Sequence, residues 1–331
     1  MKFGPVPVSS AEGGILAHSL RLAGGRLRKG HVLVQADIDA LRADGIDEVT
    51  VARVEPGDLP EDDAAERLAR ALHGGAAHIR RSEPFTGRVN LIAEGPGVVL
   101  IDAARINAVN AVAPMITVAT VAPFHQVATG AMIATVKIIS YAVPGAAVET
   151  AAAAAGGAIT LAVPVHRTAS LILTDIPGAP GDKGVEAIEN RLTGLDMSLA
   201  ETRRCPHDDD ALAREIAAAT GDIVLILTGS ATSDARDTAP EALRRAGGRV
   251  ERFGMPVDPG NLLFLGDLAG RPVIGLPGSA RSPVLHGADW VLSRVACGVP
   301  VSSADIAAMG VGGLLKEIPT RPQPRRGRAK S

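Results

Sequence analysis

Residues 223–237, IVLILTGSATSDARD, place five apolar residues directly before a loop of small and hydroxylated ones. A second stretch in the same half of the chain, PVIGLPGSARSP at 272–283, repeats the arrangement. A strand that leads through a glycine turn into a helix presents backbone N–H groups and a helix N-terminus to an anion such as phosphate. The two loops, 228–237 and 275–283, therefore predict a phosphorylated ligand held between them.

The chain around these loops alternates between strand and helix patterns from Pro164 onward. The predicted strands include Ala169–Thr174, Ser198–Arg204 and Ile223–Leu227, and the predicted helices include Lys183–Leu195, Asp209–Thr220 and Ser282–Cys297. Such alternation is typical of a mostly parallel sheet covered by helices on both faces. Ligands of these sheets bind at the carboxyl ends of the strands, where both loops lie.

The first 165 residues follow a different pattern. Runs rich in β-branched residues, such as 97–101, 116–121 and 134–139, stand between glycines and prolines, and helical patterns occur at 35–43 and 60–72. We expect a β-rich mixed region, with a division into modules of about 1–80 and 81–150 left open. The alanine-rich stretch 148–163 is either a linker or a buried helix between domains.

Composition excludes several classes of protein. The 331 residues suit two domains, and 34 basic against 36 acidic side chains give no global signal for nucleic acid or membrane. Cys205 and Cys297 are far apart with no ligand spacing around them, so no disulfide framework or zinc site is predicted. No signal peptide or apolar run of about 20 residues is present, which predicts a cytoplasmic protein. We expect a disordered basic tail over 313–331.

The loops offer two chemical interpretations. Asp237 could hold Mg²⁺ or orient an attacking group, or it could simply cap the helix that follows, and the spacing does not decide between them. Ser282-Pro283 forms a good helix start in its own right. The cluster Asp208-Asp209-Asp210 is more simply a helix cap than a metal site, and His207 and His286 are more simply structural than ligands.

Longer segments resemble two related families of molybdenum cofactor biosynthesis. Residues 228–242 resemble the Thr-Gly-Gly-Thr-Gly…Arg-Asp-x-Thr-Pro-Glu-Ala segment of the molybdopterin adenylyltransferase family. Residues 255–278 resemble the corresponding run of the molybdopterin molybdotransferase family, and residues 27–49 resemble another of its segments more weakly. The resemblance covers roughly 168–300, and it implies a three-layer α/β/α molybdopterin-binding domain over 166–312 after the β-rich region at 1–165.

The resemblance also implies roles for single residues. It assigns the functional carboxylates to Asp237 and to Asp208 or Asp209, with Asp237 as the residue for Mg²⁺, and it allows molybdate at the site. It assigns the pterin and its terminal phosphate to Thr228, Gly229, Ser230, Thr232, Ser233, Arg236, Pro277, Gly278, Ser279, Arg281 and Ser282.

The chain departs from both family patterns within these loops. Gly-Gly-Thr-Gly of the adenylyltransferase family is replaced by Gly229–Ser233, which loses glycines that permit close backbone approach. Pro-Gly-Asn-Pro of the molybdotransferase family is Pro277–Ala280 here, and Gly254 and Asp258 stand where that family presents lysines. These changes are easier to reconcile with binding than with either catalysed step.

The sequence therefore predicts a protein that binds molybdopterin, or its adenylylated form, and that supports molybdate insertion if it is an active transferase. The alternative is a non-catalytic carrier that delivers the cofactor precursor to a nucleotidyltransferase. A general phosphate-ligand enzyme on an α/β sheet is a weaker third interpretation. The family resemblance also implies a homodimer.

Overall fold

The computed structural model describes residues 1–178 and 181–315. The chain separates into two compact units. The first contains Met1–Glu94, Val99–Pro123 and Gly130–Leu161, and the second contains Gly95–Val98, Phe124–Thr129 and the chain from Ala162 onward. None of the described helices combines the length and the apolar character that a membrane span requires.

The chain before Ala162 is built mainly from short antiparallel strands. Its sheets include one with the order β1-β5-β2 and one with the order β10-β12-β8-β7. The strands are β1 (Lys2–Pro7), β2 (Ile15–Leu16), β3 (Leu20–Leu22), β4 (Gly25–Leu27), β5 (Glu48–Arg53), β6 (Asp58–Pro60), β7 (Ile79–Arg81), β8 (Arg88–Ala93), β9 (Gly97–Ile101), β10 (Ile116–Thr120), β11 (His125–Val127), β12 (Met132–Ile138), β13 (Ala142–Pro144) and β14 (Ile159–Ala162). The predicted β-rich mixed region is thereby confirmed.

Four helices accompany these strands: α1 (Gln35–Ala43), α2 (Glu61–His73), α3 (Ala103–Val112) and α4 (Gly145–Ala155). Two of them match the predicted helical patterns, and α2 buries Ala64, Leu68 and Leu72 along one face. The alanine-rich stretch 148–163 is not a linker, because its first half lies in α4, which buries one face, and its second half contains β14. Sequence patterns missed α3, whose apolar residues do not gather on one face strongly enough to give a helical signal.

The second unit contains a six-stranded sheet with the order β16-β15-β17-β20-β19-β18. The first four strands in that order are parallel, and the last two are antiparallel to their neighbours. The strands are β15 (Thr168–Asp175), β16 (Ser198–Pro206), β17 (Ile223–Leu227), β18 (Arg249–Phe253), β19 (Phe264–Leu268) and β20 (Arg271–Leu276). The helices are α5 (Val185–Thr193), α6 (Asp209–Ala218), α7 (Thr238–Arg245), α8 (Gly287–Ala296) and α9 (Ser303–Ala307).

Helices cover both faces of this sheet. On one face, Val224 and Ile226 of β17 pack in a core with Leu212 of α6 and Leu243 of α7. Successive side chains of a strand point to opposite faces, and Leu225 of β17 is also fully buried. On that second face α8 contacts β20 and α5 contacts the edge strand β16. The predicted three-layer α/β/α fold with a mostly parallel sheet is therefore confirmed.

The structure corrects the start of the last predicted long helix. Ser282 does not begin a helix, because a short 3-10 turn occupies Gly278–Arg281 and α8 begins only at Gly287. His286 is the N-cap of α8, and Asp289 completes a capping box by accepting from the His286 backbone. The predicted helix Ser282–Cys297 is thus wrong in its first turn.

The predicted disordered tail is also corrected at its beginning. The backbone N–H of Asp258 donates to Gly313 at 2.8 Å, and the N–H of Leu315 donates to Asp258 at 2.9 Å. These hydrogen bonds fix residues 313–315 in a short parallel bridge. The rest of the predicted tail, residues 316–331, lies outside the described part of the chain.

Candidate functional site

The candidate site lies at the carboxyl edge of the parallel strands in the second unit. Leu227 at the end of β17 pairs with Leu173 of β15 on one side and with Leu276 at the end of β20 on the other. The loops that follow these strands therefore share one edge of the sheet. The next strand along the chain, β16, lies on one side of β15, and the strand after it, β17, lies on the other side. The order of strands therefore reverses between β15 and β17. Such a reversal opens a crevice that ligands of α/β sheets occupy.

Thr174 joins three strand ends at this crevice. Its buried hydroxyl accepts a hydrogen bond from the backbone N–H of Gly229 at 2.9 Å and lies 2.8 Å from Nδ1 of His207. A Cβ atom at position 229 would stand 2.6 Å from the carbonyl oxygen of Thr174, so only glycine permits this approach. The first loop is thereby held against the end of β15.

The first loop is organised by Asp237. One carboxylate oxygen accepts from the N–H of Thr238 at 2.7 Å, and the other accepts from the N–H of Ser233 at 2.8 Å. Asp237 is the N-cap of α7, which confirms the capping interpretation of this residue. The hydroxyl of Thr228 turns inward and donates to the carbonyl of Ser230 at 2.5 Å.

The two other predicted carboxylates are engaged in local structure. Asp208 caps α6, because its carboxylate accepts from the N–H groups of Asp210 and Ala211. Asp209 forms an ion pair with Arg245 of α7 at 2.9 Å. Within residues 1–178 and 181–315, no group of three His, Cys, Asp or Glu side chains could hold a metal ion. The predicted Mg²⁺ ligand Asp237 therefore belongs to no such group of three among the described residues.

The second loop is shaped by Arg191 of α5, which sequence patterns did not single out. Its guanidinium donates to the backbone carbonyls of Ala280 at 3.0 Å, Ser282 at 2.8 Å and Val284 at 3.1 Å. It also forms an ion pair with Asp289 of α8 at 2.5 Å, and the Arg191 side chain is only 9% exposed. The carbonyls of Ser282 and Val284 thus bond to Arg191, while the N–H groups four residues later donate to side chains, so this stretch is not helical.

Arg281 links the two loops. Its guanidinium donates to the carbonyl of Thr228 in the first loop at 3.0 Å and to the carbonyl of Lys183 at 2.7 Å. No carboxylate of the described residues forms an ion pair with it, and burial lowers the pKa of Arg281. Three of its five N–H donors remain for another acceptor. A half-buried cation without an anionic partner favours the binding of an anion beside it.

The predicted binding residues separate into three groups by their surroundings. Thr228, Gly229 and Arg281 connect the loops to each other and to β15, and Thr232 and Pro277 are buried. The remaining residues are exposed at the carboxyl edge: Ser230, Ser233, Arg236, Gly278, Ser279 and Ser282. Both loops therefore present polar groups to the same edge of the sheet.

Two segments of the chain match models of known protein families. A family model described as a probable molybdopterin binding domain matches residues 169–295, which contain all four parallel strands and both loops. Residues 169–295 are thus similar to this family of domains. The match supports a role in molybdenum cofactor biosynthesis. A second model, described as a domain of unknown function (DUF8806), matches residues 5–53.

Two solved structures align with most of this chain at low identity. The molybdopterin biosynthesis MoeA protein of Pyrococcus horikoshii aligns at 17% identity over 90% of this chain and 76% of that chain, with a TM-score of 0.32. A molybdenum cofactor biosynthesis protein of Pyrococcus furiosus aligns at 12% identity over 93% of this chain and 65% of that chain, with a TM-score of 0.25. A search of curated proteins gives no significant match.

Replacement of Arg191 tests whether this residue supports the second loop. R191M leaves the Asp289 carboxylate without its buried partner, and we expect the free energy of unfolding to fall by about 3–5 kcal/mol. Urea unfolding of the full chain can be followed through Trp290, the single tryptophan, which adjoins Asp289. The control R249M removes an exposed arginine of β18 and should change stability by less than about 0.5 kcal/mol. Equal effects of the two variants would contradict the assigned role.

Proposed function

We propose that the molybdopterin-binding domain binds molybdopterin, or its adenylylated form, with a phosphate group at the carboxyl edge between loops 228–237 and 277–282. The observation that carries this proposal is Arg281, a half-buried guanidinium that bridges the loops and has no ion pair with any described residue. A phosphate group would supply the missing negative charge.

The surrounding groups suit a phosphate ligand better than a cation. The exposed hydroxyl of Ser279 lies two residues before Arg281 in the same loop. The N-terminus of α7 follows the first loop. The positive end of the helix dipole favours negative charge at that position.

Mg²⁺ and molybdate remain part of the proposal in a limited form. Two backbone N–H groups occupy acceptor positions of the Asp237 carboxylate, which leaves about two positions free. Mg²⁺ is commonly held by one or two carboxylates together with substrate phosphates. Asp237 therefore fits a magnesium site only if the ligand's own phosphate completes it, and molybdate would be a substrate rather than a resident group.

Substitution of Arg281 tests the binding site. R281Q keeps one polar donor near the Thr228 carbonyl but removes the charge, so we expect molybdopterin to bind about 10- to 100-fold more weakly. Fluorescence titration with molybdopterin and with its adenylylated form measures the affinities. R214Q serves as the matched control, because Arg214 is an exposed arginine of α6, and it should leave affinity within about twofold of wild type. Binding by R281Q at wild-type strength would refute the proposal.

A non-catalytic carrier is the second candidate, and the state of the predicted catalytic carboxylates favours it. Asp208 and Asp237 cap helices, and Asp209 is paired with Arg245. Carboxylates that already cap a helix or pair with an arginine are poor candidates for transferring protons. A carrier would bind the precursor and pass it to a nucleotidyltransferase without converting it.

A molybdate-insertion assay separates a transferase from a carrier. A carrier should bind molybdopterin without turnover, whereas a transferase should show turnover that D237N lowers at least about tenfold. Asparagine is as good a helix N-cap as aspartate, so D237N is expected to retain the fold. Turnover that D237N leaves unchanged would contradict the catalytic role of Asp237. A homodimer and a nucleotidyltransferase partner belong to the same proposal and rest on the family resemblance, and a cytoplasmic location is proposed with them.

A further inference from the structure

His286 is a buried polar residue at the end of the second loop whose contacts define its chemistry. It is 1% exposed and is the N-cap of α8. Its Nδ1 accepts a hydrogen bond from the backbone N–H of Ala288 at 3.0 Å. Its Nε2 lies 2.7 Å from Oγ of Ser279, seven residues earlier in the chain. The ring therefore connects the helix cap to the exposed part of the loop.

These two contacts fix the position of the ring proton. A neutral imidazole carries one N–H, and Nδ1 cannot hold it because Nδ1 accepts from Ala288. The proton must be on Nε2, where it donates to Ser279. Burial is the main cause that lowers the pKa of His286, and the nearby Arg191 lowers it further, while Asp289 and Asp258 oppose the shift. A pKa below the usual value near 6.5 leaves the ring neutral at pH 7.

The orientation of the Ser279 hydroxyl follows from this tautomer. Because Oγ of Ser279 accepts from His286, its own hydrogen is free to point away from the ring. His286 cannot take a proton from Ser279 through a nitrogen that is already protonated, so the pair is not a nucleophile with its base. Ser279 is exposed, and Arg191 holds the carbonyl of the next residue, Ala280. The hydroxyl is thus a prearranged donor in the same loop as Arg281.

We propose that His286 is a positioning residue that fixes the Ser279 hydroxyl as a hydrogen-bond donor to an oxyanion of the ligand. This inference rests on the proposed function and narrows it. A donor hydroxyl in the same loop as an unpaired guanidinium favours ligand groups that only accept hydrogen bonds, such as the ionised oxygens of a phosphate ester. It disfavours ligand hydroxyl or amine groups that need an acceptor at this position.

A double-mutant cycle tests whether His286 acts through Ser279. The proteins are full-length wild type, H286N, S279A and H286N/S279A, titrated calorimetrically with molybdopterin and with inorganic phosphate. Asparagine retains an oxygen that can cap α8 but does not reach Ser279 as a ring N–H donor, so H286N is expected to stay folded. We expect each single variant to bind about tenfold more weakly. The double variant should bind no more weakly than S279A alone.

The outcomes separate this inference from the proposed function. Additive losses in the double variant, or wild-type affinity in H286N, would overturn the role of His286 while a loss in R281Q still supports the binding site. Failure of the wild type to bind either probe would overturn both. A readout without ligand is the ¹⁵N spectrum of the His286 ring, which should show a neutral form protonated at Nε2. A ring protonated at Nδ1 would overturn the inference whatever the affinities.

Discussion

The Arg191 guanidinium is the contact on which the second loop depends. It neutralises Asp289 of α8 and binds three loop carbonyls, so one buried cation from α5 ties together two helices and the chain between them. These carbonyls bond to Arg191, and the chain between β20 and α8 is not helical where the sequence predicted a helix. The same constraint leaves Ser279 exposed and Arg281 reaching the first loop, so the shape of the candidate site follows from a contact outside it.

Helix caps account for much of the polar chemistry at this edge. Asp208, Asp237 and His286 each satisfy the first N–H groups of a helix. Caps rigidify the loops but use acceptor capacity that acid–base catalysis would need. Arg281 has the opposite character, since it donates to two carbonyls and keeps an uncompensated positive charge. The site is accordingly better equipped to hold an anion than to move a proton.

The sequence allowed the sheet and its loops to be predicted because their signals are local. Five apolar residues at Ile223–Leu227 before a glycine define a buried strand, and Asp237 stands at a recognisable cap position. Arg191 gave no signal because its partners lie about 90 residues away in the chain. The false helix start at Ser282 has the same cause. The interpretation of His286 as a structural residue agrees with its cap role, but the cap itself gave no sequence signal because histidine is not a usual N-cap residue.

The most direct measurement is a crystal structure of the full chain with molybdopterin bound. The account predicts ligand phosphate density between loops 228–237 and 277–282, within hydrogen-bond distance of Oγ of Ser279 and of the Arg281 guanidinium. The same domain offers a different cavity of about 410 Å³, lined by residues that include His166, Arg249 and Pro300. Ligand density in that cavity, with neither Ser279 nor Arg281 in contact with phosphate, would contradict the account.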